Sequence, residues 1–135
     1  LDDFVERRNN LAKIYCNELQ KKLPKVVNPL INFPNIINAY HLFVVRIPFY
    51  RIKGGRASLM LFLNRRGVQT QVHYLPIYLQ PYYKKYFKSK QIFSQAESYY
   101  GECLSLPLFV GMKDSDPINV IAVLKEAIES LLIKP

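Results

Sequence analysis

Residues 40–49 read YHLFVVRIPF, a run of β-branched and aromatic side chains that suits a pleated strand better than a helix. Alternation sorts it into two sets, His41, Phe43, Val45 and Ile47 on one side and Tyr40, Leu42, Val44 and Arg46 on the other. Both sets are largely apolar, so the strand is expected to be covered on both faces. Pro48 belongs at its end, where a missing backbone donor costs little.

The flanking sequence supplies the covering helices. Upstream, Phe4, Leu11, Tyr15, Leu19 and Leu23 recur at helical spacing with Arg8, Lys13 and Lys22 between them. This predicts one amphipathic helix over residues 2–23, with Asp2 and Asp3 at the positive end of its dipole and Pro24 as its stop. A loop with Pro29, Pro34 and several asparagines leads to the strand. Downstream, Lys53-Gly54-Gly55 makes a turn into a helix over 56–66, with Gly67 in the left-handed position past its end. Residues 68–74 alternate cleanly, Val68, Thr70, Val72 and Tyr74 against Gln69, Gln71 and His73, and predict a second strand. A proline-bounded loop and a tyrosine-rich turn follow. Ser94 and Glu97 have capping-box spacing for a helix to about Cys103, a short strand spans 104–107, and Asp116-Pro117 opens a last helix. In that helix Ile118, Ile121, Leu124, Ile128 and Leu131 form one stripe. The expected fold is a small α/β (α+β) domain with a three-stranded, mainly antiparallel sheet and helices on one face. The other face must be small, solvated or docked against something, and the two-sided apolarity of the first strand argues for docked.

The 135 residues fit a single domain with a real core. The formal charge of +9 invites a nucleic-acid partner. The basic residues, however, come in scattered pairs such as Arg7-Arg8, Lys21-Lys22, Arg65-Arg66 and Lys84-Lys85 rather than in a block. No zinc-finger spacing or aromatic RNA-binding signature accompanies them. No nucleic acid is therefore expected, though a basic surface suits phosphorylated small molecules. Apolar runs stop short of the roughly 18 residues a membrane span needs, so no membrane partner is expected either. Cys16 and Cys103 lack metal or disulfide-framework spacing and read as buried thiols of a reducing, cytoplasmic compartment. The start at Leu1-Asp2-Asp3 carries neither an initiator methionine nor a signal pattern, as expected of the interior of a longer reading frame.

No complete catalytic set is visible: no phosphate-loop motif, no nucleophile elbow and no metal-binding helix. Gly54-Gly55-Arg56 reads as a turn before a helix, not a phosphate loop. The two histidines are the informative single residues. His73 closes a strand on its polar face just before a proline-bounded loop, a place that suits equally a ligand-binding side chain presented by a rigid element and a surface histidine that only solvates the strand edge. His41 stands among apolar residues and reads first as a hydrogen-bonded core histidine. Tyr74 is expected to face the packed side and to need a hydroxyl partner there.

Three segments, YHLFVVRI, GVQTQVHYLPIYLQPYY and SLPLFVGM, stand in this order. They resemble the C-terminal domain of the DegT/DnrJ/StrS-type sugar aminotransferases, which are fold-type-I enzymes dependent on pyridoxal phosphate. The opening LDDFVERRNNLAKIYCNEL resembles the helix that links their two domains, so the likeness covers nearly the whole chain. Within the family, the VHY…P…QPYY stretch is most similar to transaminases on the route to pseudaminic acid. The resemblance implies a linking helix over 1–23 and a sheet-and-helix body over 40–131. It places the cofactor, its lysine and the catalytic residues in an N-terminal domain outside this chain, which alone is expected to be inactive. It implies a homodimer that moves an amino group from glutamate to a keto-sugar nucleotide, UDP- or dTDP-linked, for polysaccharide or glycan synthesis. Carried over by motif, His73 and Tyr74 match the pair that faces the substrate, with His41 and Tyr78 as further candidates. Tyr78 stands where many relatives have histidine and Val110 where many have proline, which puts the role of the Tyr78 side chain in doubt. The rival readings are a stand-alone, non-catalytic module for phosphorylated or nucleotide ligands and, ranked below it, a nucleic-acid-binding domain.

Overall fold

A computed structural model describes residues 1–30, 36–87 and 93–133. Helix α1 (Asp2–Lys22) buries Leu11, Tyr15 and Leu19 of the predicted stripe, with Ala12 beside them and Leu23 just past its end, while Phe4 stays exposed one turn too early to reach the core. The short strand β1 (Asn28–Pro29) follows, and the loop expected around Pro34 lies outside the described residues. The central strand β2 spans Phe43–Arg46, shorter than the run that predicts it. A 3₁₀ turn leads into α2 (Gly55–Arg65). Past its end Gly67 adopts φ +79°, and Val68 N–H reaches back to the Leu63 carbonyl at 2.9 Å, a left-handed cap that glycine forms without strain. A second 3₁₀ turn, α3 (Pro81–Lys84), α4 (Ser94–Glu102), β3 (Cys103–Leu106) and α5 (Ser115–Leu131) complete the chain. Helix α5 starts one residue before Asp116, whose carboxylate accepts from the Lys113 N–H at 2.7 Å.

The three strands form one antiparallel sheet in the order β1-β2-β3, as the fold class predicts. Phe43 pairs with Leu106 and Val45 with Leu104, and these four side chains enter the core from one face. That core is shared with α1, α2 and α5, and the Tyr15 ring stacks on Phe43 at 4.6 Å. The buried stripe of α5 is Pro117, Val120, Ile121, Leu124, Ala127 and Ile128. Ile118, expected inside, faces outward, because Pro117 takes the inner position of the first turn.

The predicted strand over 68–74 is the main correction. It makes a single bridge, Gln71 with Ser105, in which each backbone N–H meets the other's carbonyl at 3.2 and 2.8 Å. In an antiparallel ladder the next such pairs would be Gln69 with Pro107 and His73 with Cys103. Pro107 has no N–H to give. The Cys103 N–H is already committed to the Tyr99 carbonyl at the end of α4. The ladder therefore stops after one rung, and β1 supplies the third strand at the opposite edge.

The second face of the sheet also departs from expectation. It carries Val44, Arg46, Cys103 and Ser105, and Val44, Cys103 and Ser105 are buried by this chain itself. The Arg46 guanidinium reaches Glu102 Oε2 at 2.8 Å and Ser98 Oγ at 2.9 Å, which draws α4 against it. The exposed apolar surface lies instead along residues 74–87, where Tyr74, Ile77, Tyr82 and Tyr86 are all more than half exposed.

Candidate functional site

The bridge at Ser105 delivers the segment that follows Gln71 to the second face of the sheet. There His73 Nδ1 lies 2.7 Å from Ser105 Oγ, and the Tyr99 hydroxyl donates to the His73 carbonyl at 3.0 Å. Ring and backbone of His73 are thus held by two different elements, β3 and α4. The Tyr74 ring meets the imidazole edge-on, with centroids 4.7 Å apart, and remains two-thirds exposed. Tyr74 thus faces outward, not toward the core as the alternation predicts. The strand ends before it, so the alternation no longer applies.

Tyr78 lies in the second 3₁₀ turn, Ile77–Leu79. Its hydroxyl donates to Glu97 Oε1 at 2.6 Å, and its ring lies 4.8 Å from that of Phe93. Partial removal from water, and then the hydrogen bond to the Glu97 carboxylate, push the phenol up to about 12. This contact also corrects the capping-box reading. Glu97 turns toward Tyr78, and α4 begins at Ser94 without a side-chain cap. Burial raises Tyr99 in the same direction.

The structure sets Tyr74 against His73 and ties His73 and Tyr78 separately to α4, through Tyr99 and Glu97. His41 is exposed, in a bend ahead of β2, and is not a core histidine. It lies three residues from Val44, the β2 partner of Ser105, which is roughly 10 Å along a strand.

Arg56, Arg46 and Glu102 complete the supporting frame. Arg56 Nη1 donates to the Tyr100 carbonyl and, at 3.3 Å, to that of Cys103, so it ties the start of α2 to the α4–β3 junction. Burial raises the Cys103 thiol, offset in part by the Arg56 charge, and burial also raises Cys16. Both cysteines are free; Cys103 is buried as expected, whereas Cys16 is only partly buried. Ser105, Tyr99, Glu97 and Arg56 escape the sequence reading. Ser105 alone carries a signal, as the one hydroxyl in the otherwise apolar strand CLSL.

A cleft of about 790 Å³ opens along the β1 edge, lined by Lys25, Asn28, Pro29, Arg46 and Glu102, away from His73. Among the described residues no group of three or more His, Cys, Asp or Glu could hold a metal ion. No described helix is long and apolar enough to cross a membrane. Every described lysine is exposed or, like Lys22 with Glu18 and Lys125 with Glu129, paired with a carboxylate of its own helix. The described residues therefore offer no buried amine to bond a pyridoxal aldehyde, and they do not fit that cofactor on their own.

Residues 1–125 match the model of the DegT/DnrJ/EryC1/StrS aminotransferases. The chain is 30% identical over 131 residues to the spore coat polysaccharide biosynthesis protein SpsC of Bacillus subtilis, covering 96% of this chain and 33% of that protein. It is 38% identical over 126 residues to EryC1 of Saccharopolyspora erythraea, covering 93% and 32%. Among solved structures, it superposes on PseC of Helicobacter pylori, an aminotransferase involved in the biosynthesis of pseudoaminic acid. That match has a TM-score of 0.83 at 23% identity and covers 95% of this chain and 33% of that one. The chain spans about a third of the length of the relatives it matches.

Proposed function

Since the chain belongs to the DegT/DnrJ/EryC1/StrS aminotransferase family, we propose that it forms the C-terminal, substrate-facing domain of a homodimeric, cytoplasmic sugar aminotransferase. The whole enzyme would take an amino group from glutamate and pass it to a keto-sugar nucleotide for surface polysaccharide or glycan synthesis. The likeness to SpsC, a spore coat polysaccharide biosynthesis protein, supports this choice of pathway class. The likeness of the Val72–Tyr83 stretch to the pseudaminic acid branch supports a UDP-linked sugar. Pyridoxal phosphate, held outside this chain, would supply the electron sink for amino transfer. The isolated chain would then be inactive.

One observation carries the reading. His73 is fixed at both its ring and its carbonyl, beside an exposed Tyr74, on a surface rich in aromatic side chains and open to solvent. A restrained imidazole and a phenol make good partners for sugar hydroxyls and for diphosphate oxygens. The exposed tyrosines of 74–87 would rest against the remainder of the enzyme and close the site there. This domain would bind and orient the sugar nucleotide, and exclude water from the reacting carbon, rather than move protons.

The test is His73→Ala in the full-length enzyme. Loss of a hydrogen bond to a charged group costs about 1–3 kcal/mol, so kcat/KM for the sugar nucleotide is expected to fall roughly 5- to 150-fold. The half-reaction with glutamate should keep its rate. An unchanged kcat/KM for the sugar nucleotide refutes the assignment. Tight binding of UDP-sugars by the 135-residue chain alone would favour a stand-alone binding module instead.

A further inference from the structure

We propose that Ser105 is a positioning residue that sets the tautomer of His73, donating its hydroxyl proton to Nδ1 so that the imidazole carries its own proton on Nε2. The function of that Nε2–H as a ligand donor rests on the reading of His73 given above; the tautomer itself does not.

Ser105 is only 5% exposed, in a strand whose other members are all buried. Its backbone N–H and carbonyl are both used by Gln71, and its β2 partner is the apolar Val44. A buried hydroxyl must place its proton on an acceptor, since an unsatisfied buried donor is costly. His73 Nδ1, at 2.7 Å, is the acceptor within reach. If Nδ1 carried the proton instead, Ser105 Oγ would accept it and its own hydrogen would need a second acceptor. Among the described residues Ser105 Oγ has no such second partner. The arrangement that satisfies every donor therefore makes Nδ1 the acceptor, and a neutral imidazole then holds its single proton on Nε2. The ring cannot easily turn away, because the Tyr99 hydroxyl holds the His73 carbonyl and the Tyr74 ring lies against the imidazole. The half-exposed side of the ring is left with a donor, the polarity an oxyanion requires.

The tautomer is read directly from imidazole nitrogen shifts in long-range proton–nitrogen spectra of the histidine-labelled 135-residue chain. His41 and His73 are the 2 histidines present, and His41→Gln identifies the signals. The wild-type chain should show His73 almost wholly in the Nε2–H form. Ser105→Ala should lower the tautomer ratio about tenfold, as for the loss of one hydrogen bond. Ser105→Thr keeps the hydroxyl in a residue suited to strands and should restore the wild-type signature. It also keeps the test valid should the alanine variant misfold. An Nδ1–H signature in the wild type, or a ratio that Ser105→Ala leaves unchanged, overturns the proposal. In the full-length enzyme Ser105→Ala should raise KM for the sugar nucleotide while kcat changes little. A tautomer shift without that kinetic effect would uphold the role of Ser105 and refute the ligand role of His73.

Discussion

Replacing Arg56 by alanine should destabilise the chain by about 2–4 kcal/mol, although the residue lies in no part of the proposed ligand surface. Its guanidinium donates to the Tyr100 and Cys103 carbonyls at the α4–β3 junction, the first of which also accepts from the Cys103 thiol at 3.7 Å. Such bonds contribute about 1.5–3 kcal/mol. The same group stands over the Tyr100 ring at 4.6 Å and the Phe49 ring at 5.5 Å, adding about 0.5–1 kcal/mol for a half-buried cation–π contact. Lysine keeps the charge but not the planar fork, so Arg56→Lys should retain about half the effect. Urea denaturation followed by circular dichroism reads this as a lower midpoint at unchanged slope. The mutation should also reach the site, because α4 carries Tyr99 and Glu97, which hold His73 and Tyr78. Hydrogen exchange at residues 71–78 should accelerate in Arg56→Ala relative to α5. A loss below about 0.5 kcal/mol would refute the claim that Arg56 locks α4 to the sheet.

Two further predictions follow from local geometry. Tyr78 ionises late because the fold favours its neutral phenol; the associated stabilisation is complete below its ordinary value of 10.0 and is lost as pH rises toward about 12. Of the 10 tyrosines, Tyr78→Phe should therefore remove a late step from the tyrosinate absorbance titration; removal of an ordinary early step would contradict the Glu97 contact. Gly54 and Gly67 both have positive φ, +78° and +79°, but a Cβ at Gly54 would stand 1.9 Å from Ser58 Oγ while one at Gly67 meets nothing. Each alanine should cost about 1–3 kcal/mol in backbone strain, Gly54→Ala more than Gly67→Ala; Ser58→Ala should narrow the difference without abolishing it, since the Ser58 Cβ still stands 2.9 Å from the added methyl, and equal costs in the wild-type background would refute the clash.

The helices and the central strand were legible because their signals are periodic and local. Leu11, Tyr15 and Leu19, or Ile121, Leu124 and Ile128, repeat at the spacing that builds one face, and tertiary packing had only to accept it. The errors fall where a backbone group has a second claimant. Residues 68–74 alternate as a strand should, yet the rungs on either side of Gln71–Ser105 fail, one because Pro107 lacks a proton and the other because Cys103 spends its own on α4. Strand β1 was missed for the converse reason: Asn28–Pro29 reads as a turn, but at a sheet edge the proline gives up nothing that would have been bonded.

Within the candidate site, position alone singled out His73, whereas Tyr78 came only from family likeness, and the physics of the site explains why. Each contact that fixes it joins residues far apart in sequence: His73 to Ser105, Tyr99 to His73, Tyr78 to Glu97. Glu97 shows the difficulty most clearly. Its spacing from Ser94 satisfies a local capping rule, and nothing nearby in sequence competes with that reading. The phenol that claims it comes from the other side of the loop. Ser105 was the exception that could have been caught, since a lone hydroxyl in a fully buried strand must have a partner. The candidates for that partner, in turn, are limited to polar groups on the segment the strand bridges, and on the face that Ser105 shares with Val44 the nearest of these is His73.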